Sequence, residues 1–386
     1  MSQVFGDRVK QARELEGLSQ LELAKAIGVS QTLIAFVETN TRQPTPELLE
    51  QLAVHTHQVP DFFRQPPAED FPTGSLLYRA RTAMTAQQKT RVRQYARMVM
   101  ELADALLARR PHALPVKLMP IVGPPEEAAR RARRVLEEAL KIAPDEPITG
   151  LILGLEQSGV LVVAMPIEID KGDAFCAWTG ADKRRPVIVV SAKTVGDRLR
   201  LNVAHELGHL LLHPDGTASL GEVEPEANRF AAELLCPAAA MHREIEAPVT
   251  LLSLAQLKRR WGVSVQMLIR RARDLEIITQ RRYTYLFEQI GAKGWRMREP
   301  KHLDVPIEKP RLLRRLAEDL FSIPGGRIID VNRLADATHL APSRVADLLG
   351  AHADRSDLPR RGQTPTPRPS NVVDLASARS LRSVSS

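Results

Sequence analysis

The stretch Leu201–Pro214, LNVAHELGHLLLHP, constrains this chain more than any other. It holds His205-Glu206-Leu207-Gly208-His209 inside an apolar run with the composition of a helix. On a helix, residues four apart stand one turn, ~6 Å, along the axis and face the same way. Two imidazoles so placed can grip one tetrahedral Zn²⁺ through a nitrogen each. Glu206, about 100° further round, reaches a water beside the ion rather than the ion itself, which suits a general base. With 10 His in 386 residues and Glu near ~6%, such a run arises by accident in roughly one chain in sixty.

Two histidines leave a zinc site incomplete, so a third ligand is needed. Downstream, Glu222–Pro237 reads EVEPEANRFAAELLCP. Ala227, Phe230, Ala231, Leu234 and Leu235 recur at helical spacing, and Glu224-Pro225-Glu226 reads as the helix start. Glu224 is the first candidate, with Asn228 one turn later on its face; Glu226 and Glu222 follow. His213 lies four residues after His209, but it is two turns, ~12 Å, from His205, too far to share the ion. Its expected partner is the carboxyl end of its own helix.

HELGHLLLH followed by Glu224-Pro225-Glu226-Ala227-Asn228-Arg229-Phe230-Ala231-Ala232 resembles the ImmA/IrrE family of bacterial and phage metallopeptidases. Leu151–Val163 and Pro186–Thr194 fit the same resemblance, which spans roughly Tyr78 to Arg298. It implies Zn²⁺ held by His205, His209 and Glu224, with Glu206 as the catalytic base. Cys236 departs from the usual Met before the proline, a packing change.

The amino-terminal segment is a separate pattern. Val4, Val9 and Leu15 carry a helix ending at Gly17; Ser19 caps Gln20–Ile27; Gly28-Val29-Ser30 turns into Gln31–Glu38. Pro46–Thr56 and Asp61–Phe63 complete an all-helical unit. Two short helices across a Gly-containing turn form a helix-turn-helix, whose second helix enters the major groove. GLSQLELAKAIGVSQTLIAFVETNTRQPT resembles the Cro/phage-repressor (XRE) type. The resemblance implies that Gln31, Thr32, Ala35 and Phe36 face base edges, while Gln20 and Arg42 meet phosphate. Phe36 stands where a polar or basic residue is usual. Ile34 and Val37 read as core. Such units read palindromic operators as homodimers.

The expected fold class is mainly α with a small β-sheet: an all-α helix-turn-helix domain plus an α+β, zincin-like metallopeptidase domain. The expected divisions are 1–64 (DNA binding), 65–110 (linker and long helix), 111–298 (peptidase), 299–351 (small helical or winged-helix-like module) and 352–386 (disordered tail). Leu76–Arg110 predicts a long helix whose basic start reads as a solvated face, with Met98, Met100, Leu102, Leu106 and Leu107 as core. Val160–Val163, Ala174–Trp178 and Val187–Ser191 are strands, the last taken as the edge that receives an extended peptide. Leu254–Ile278 repeats a helix–GVS–helix pattern and is read as peptidase body.

Two cysteines, Cys176 and Cys236, apolar and far apart, indicate buried thiols in a reducing compartment. No signal peptide or spanning run is evident, so the expected location is cytoplasmic, with no membrane partner. A formal charge of +8 favours a polyanionic partner. These features imply a regulator that binds double-stranded operator DNA and carries a zinc-dependent peptidase acting on a regulatory protein or on itself. The alternative is a non-proteolytic, antitoxin-like autorepressor that uses the peptidase fold as a sensor.

Overall fold

The computed structural model describes residues 3–69, 71, 85–167, 174–180, 182, 184–192, 194–214, 220–324 and 328–353. Within these, sixteen α-helices surround one three-stranded sheet. The chain is mainly α, with an all-α amino-terminal unit and an α+β body. No described helix is long and apolar enough to cross a membrane.

The amino-terminal unit comprises α1 (Gly6–Leu15), α2 (Gln20–Ile27), α3 (Gln31–Glu38), α4 (Pro46–His55) and a 3₁₀ turn at Pro60–Arg64. Ser19 and Glu22 form a capping box on α2, and Ser30 and Thr45 cap α3 and α4. Val9, Leu15, Leu23, Ile34, Val37 and Leu52 fill its centre. Gly6 permits the approach of α1 to α3: a Cβ there would lie 2.3 Å from the Glu38 carbonyl oxygen.

The body of the chain is built on the sheet. β1 (Leu161–Met165) runs parallel to β3 (Arg185–Ser191), and β2 (Ala174–Thr179) antiparallel to it, in the order β1-β3-β2. Val187–Ser191 is therefore the central segment and not the edge that the sequence suggests. The outer strands are β1 and β2. All three strands are buried on both faces, because successive side chains point to opposite sides. Val162, Ala164, Cys176, Trp178, Ile188 and Val190 enter one core. Leu161, Val163, Met165, Phe175, Val187 and Val189 enter a second.

The first core holds α6 (Pro125–Leu140), α7 (Leu151–Gln157), α8 (Gly196–Leu212), α9 (Leu220–Leu235), α10 (Ala238–Glu244), α11 (Leu251–Trp261), α12 (Val265–Asp274) and α13 (Gln280–Ala292). The second combines the amino-terminal unit with α5 (Ala86–Ala108), α14 (Leu312–Phe321), α15 (Val331–Thr338) and α16 (Pro342–Gly350). Met98, Met100, Leu102, Leu106 and Leu107 are buried in it.

Two expectations change here. The basic start of the long helix is not simply a solvated face: Arg91 Nε donates to the Leu15 carbonyl at 3.0 Å, and Arg97 is buried and donates to the Ala68 carbonyl. Arg79 and Arg81 lie outside the described residues. The segment between the amino-terminal unit and α5 is packed at Phe71, whose ring meets Phe175 edge-on at 5.5 Å. Nor does structure end at residue 351. His352 and Ala353 are buried, and the Ala353 N–H donates to the Pro310 carbonyl. The rest of the expected tail, 354–386, lies outside the described residues.

The 299–351 segment is fastened to the body by exchanged carboxylates. Glu156 on α7 accepts the N–H groups of Arg311 and Leu312 at the start of α14, and Glu308 accepts the Ile152 N–H at the start of α7. Each acid satisfies otherwise orphaned first-turn donors. His352 closes the outer side of β1: its Nε2 accepts the Ala164 N–H at 3.2 Å while its Nδ1 donates to the Leu348 carbonyl at 2.8 Å.

Burial holds the His352 imidazole neutral, pushing its pKa from 6.5 down to about 4. A histidine depressed in this way stabilises the fold above its unfolded pKa and loses that contribution as pH falls through the folded value. The full loss between pH 6.5 and 4 is about 3 kcal/mol. Urea unfolding at pH 7, 5 and 4 is expected to show a steeper acid loss for the wild type than for His352→Gln. Parallel curves would refute this role.

Candidate functional site

His205, His209 and Glu224, singled out by the sequence, are brought together where α8 and α9 pack. Gly208 allows the close approach: an added Cβ would meet the Phe230 ring at 3.1 Å and Ala227 Cα at 3.2 Å. His205 and His209 lie on the α8 face that meets α9, their Nε2 atoms 2.9 Å apart. The Glu224 carboxylate reaches both, at 3.4 Å from His205 Nε2 and 3.3 Å from His209 Nε2. One donor atom from each of the three lies within 4.8 Å of the others, the spacing that one shared ion requires.

The surroundings sort the candidates. Asn228 Oδ1 lies 3.0 Å from His205 Nδ1, a contact that orients the ring with Nε2 toward Glu224. Hydrogen bonds from His205 and then His209 hold the Glu224 carboxyl far below the usual carboxylate range, against its partial burial. Glu206, on the same helix, is 1% exposed. Glu226 is turned away from the cluster and pairs with His213 at 2.8 Å. His213, expected to interact with its own helix end through its side chain, instead crosses to α9. The helix α9 also starts earlier than Pro225. It begins at Leu220, leaving the proline inside it.

The sheet lies alongside. β2 packs on α8, and Trp178 Nε1 donates to the Leu210 carbonyl at 2.9 Å, one residue beyond His209. The outer strand beside the cluster is therefore β2. Cys236, at the end of α9, is fully buried, and burial pushes its thiol up to about 12, so it is inert packing.

The second surface is α3. Gln31, Thr32 and Phe36 are exposed and Ala35 is half-buried, while Ile34 and Val37 are buried. Phe36 is 45% exposed and so is not packed against the body. Arg42 is exposed after α3. Gln20 is half-buried, and its amide donates to Glu38 at 2.8 Å. Glu38 in turn holds Arg13 through two bonds of 2.6 and 3.0 Å, which fixes α1, α2 and α3 together. Leu21, 47% exposed on α2, adds an apolar residue that no sequence motif singles out. Residues 1–64 contain six Lys and Arg against eight Asp and Glu, so the chain's positive excess lies elsewhere.

The second helix–GVS–helix pattern, α11–α12, presents no such surface. Gln266 at the start of α12 is tied to Trp295, Arg296 and Glu299. Lys258 is buried between Asp197 and Glu299, and Arg271 is buried against Glu233 and the Cys236 carbonyl.

Comparison with known families agrees with this division. Residues 155–273 match the peptidase M78 family, described as the IrrE N-terminal-like domain. Residues 9–57 match a helix-turn-helix family. No curated protein matches the chain. The chain thus joins an amino-terminal helix-turn-helix domain of the XRE type to an IrrE-like peptidase M78 domain.

Proposed function

We propose that this protein is an operator-binding transcriptional regulator whose second domain is a zinc-dependent endopeptidase acting on a regulatory protein, a repressor or the chain itself. One observation carries the reading: two imidazoles from α8 and a carboxylate from α9 converge within 4.8 Å beside a buried glutamate. The donor set fits Zn²⁺, which takes His nitrogen and carboxylate oxygen, and the Asn228 contact turns His205 Nε2 toward the cluster. His205, His209 and Glu224 would hold the Zn²⁺, which when bound would supply Lewis-acid chemistry toward a carbonyl and a water.

The residues of the chain do the rest. Glu206 accepts the proton of the attacking water and returns it to the leaving amine. An extended substrate adds as a strand to the outer side of β2, which the Trp178–Leu210 bond holds along the metal helix. At the other surface, Gln31 is suited to adenine N6 and N7, Thr32, Ala35 and Phe36 meet neighbouring base edges, and Arg42 meets phosphate. Gln20, at the start of α2, meets phosphate and also orients Glu38. Two copies bind a palindrome.

A second reading has its own observation. The helix-turn-helix unit is fastened to α5 through Arg8–Glu101 at 2.7 Å and Gln94–Glu14 at 2.6 Å, and it shares a core with one face of the sheet. Occupancy of the zinc domain could then alter operator binding with no proteolysis, as in an antitoxin-like autorepressor.

Glu206→Gln separates the two. It is expected to keep one equivalent of zinc while cleavage of the target falls at least 100-fold, the lower end of general-base contributions. Regulation unchanged in that variant would favour the sensor. His205→Ala is expected to lose the zinc; zinc content staying at wild-type level would sink the assigned site. For the operator surface, Gln31→Ala should cost about 1–3 kcal/mol and relax selectivity at one base pair of each half-site. Equal weakening across all sequences in a binding-site selection would refute that role.

A further inference from the structure

We infer that His213 and Glu226 are positioning residues for the third zinc ligand, forming a clamp that holds Glu224 over the two imidazoles without touching the ion themselves. The inference rests on the zinc reading above.

The need for a clamp comes from where Glu224 sits. His205 and His209 belong to a helix packed in the first core, with Gly208 tight against Ala227 and Phe230 and with Asn228 fixing the His205 ring. Glu224 has weaker backing. It is the fifth residue of α9, and the sixth is Pro225. A proline has no N–H, so the Gly221 carbonyl receives no bond from one turn ahead, and the pyrrolidine ring crowds it. The turn that carries the ligand is thus held by fewer of its own bonds than the rest of the helix. Its side chain is 32% exposed, and its polar neighbours are the imidazoles it must approach.

The His213–Glu226 pair acts at this weak point. His213 is the residue that ends α8, and its N–H donates to the His209 carbonyl, which anchors it to the turn bearing the second imidazole. Its ring is 10% exposed, with Nε2 2.8 Å from the Glu226 carboxylate, two residues beyond Glu224. The bond therefore spans from the turn of one ligand to the turn of another, and it straddles Pro225. Neither partner is placed to be a ligand. The donor cluster comprises His205, His209 and Glu224, and Glu226 points to His213. A hydrogen-bonded partner of a ligand is typically worth 10- to 100-fold in metal affinity. A clamp acting one step further out should sit at the low end.

The test uses the full chain with Zn²⁺ affinity measured by chelator competition, and the visible absorption of the Co²⁺-substituted protein. His213→Ala and Glu226→Ala are each expected to weaken Zn²⁺ about tenfold and to change the tetrahedral Co²⁺ band. The double variant should be no weaker than either single one. Glu226→Gln, which keeps an oxygen to accept from His213 Nε2, should restore both readouts. Wild-type affinity and spectrum in both alanine variants would overturn the clamp, as would failure of Glu226→Gln to rescue. Loss in Glu226→Ala equal to that in Glu224→Ala, with His213→Ala unaffected, would make Glu226 a ligand and also overturn it. If His205→Ala binds Zn²⁺ as wild type does, the zinc reading itself fails, and that result is distinct from the others.

Discussion

A three-stranded sheet with no solvent face is the constraint on which the rest depends. Each of its strands sends alternate side chains into two different cores: Val162 and Ile188 toward the helices that carry the histidines, Val163 and Val189 toward α5 and the helix-turn-helix unit. A slip of one residue in register would exchange the two sets completely. Each aliphatic side chain of this size contributes about 1.5–3 kcal/mol when fully buried, so register is fixed from both sides at once. The parallel pairing of β1 with β3 and the antiparallel pairing of β2 then decide which strand lies outermost along α8.

Polar groups add specificity to what the cores hold. Arg13 and Glu38 are buried, and Gln20 completes the cluster. Arg344 from the last helix reaches the Tyr95 hydroxyl on α5 at 3.2 Å and also pairs with Glu16 on the amino-terminal unit. Desolvating such charges costs about as much as their attraction returns, whereas removing one partner is strongly unfavourable. These clusters therefore contribute little net stability, but they disfavour any arrangement in which the DNA unit is turned relative to α5.

Local chemistry in the sequence made much of this legible. Ser19 and Ser30 announce their helices by capping chemistry, and the four-residue spacing of His205 and His209 puts both rings on one face whatever the surroundings. What stayed hidden depends on partners distant in the chain. Val187–Ser191 has the composition of any buried strand, and only pairing on both sides makes it central. Pro225 looked like a helix start because prolines favour that position, yet an upstream turn forms despite it. His213 faced a choice between its own helix end and an acid on α9, which spacing alone does not decide. The two Gly-Val-Ser turns make the same point. Gly28 and Gly262 both adopt left-handed backbone and Ser30 and Ser264 both cap, but only the first pair of helices leaves the start of its second helix exposed. The difference lies in Glu299 and Trp295, far along the chain.

The position of β2 ties these features together. Phe175 on one face of this outer strand meets Phe71 edge-on and faces the α5 side, and Trp178 on the other face bonds the helix that carries His205 and His209. Interiors are packed like crystals and transmit displacement instead of absorbing it. Any group that pairs with the outer side of β2 therefore acts on a strand that both cores grip. Trp178 is bonded to the Leu210 carbonyl, next to the His209 imidazole, and Phe175 meets Phe71 in the segment that follows the amino-terminal unit. The proposed proteolysis and its sensing alternative would both make use of this strand, and would differ in whether Glu206 completes a reaction on what is bound there.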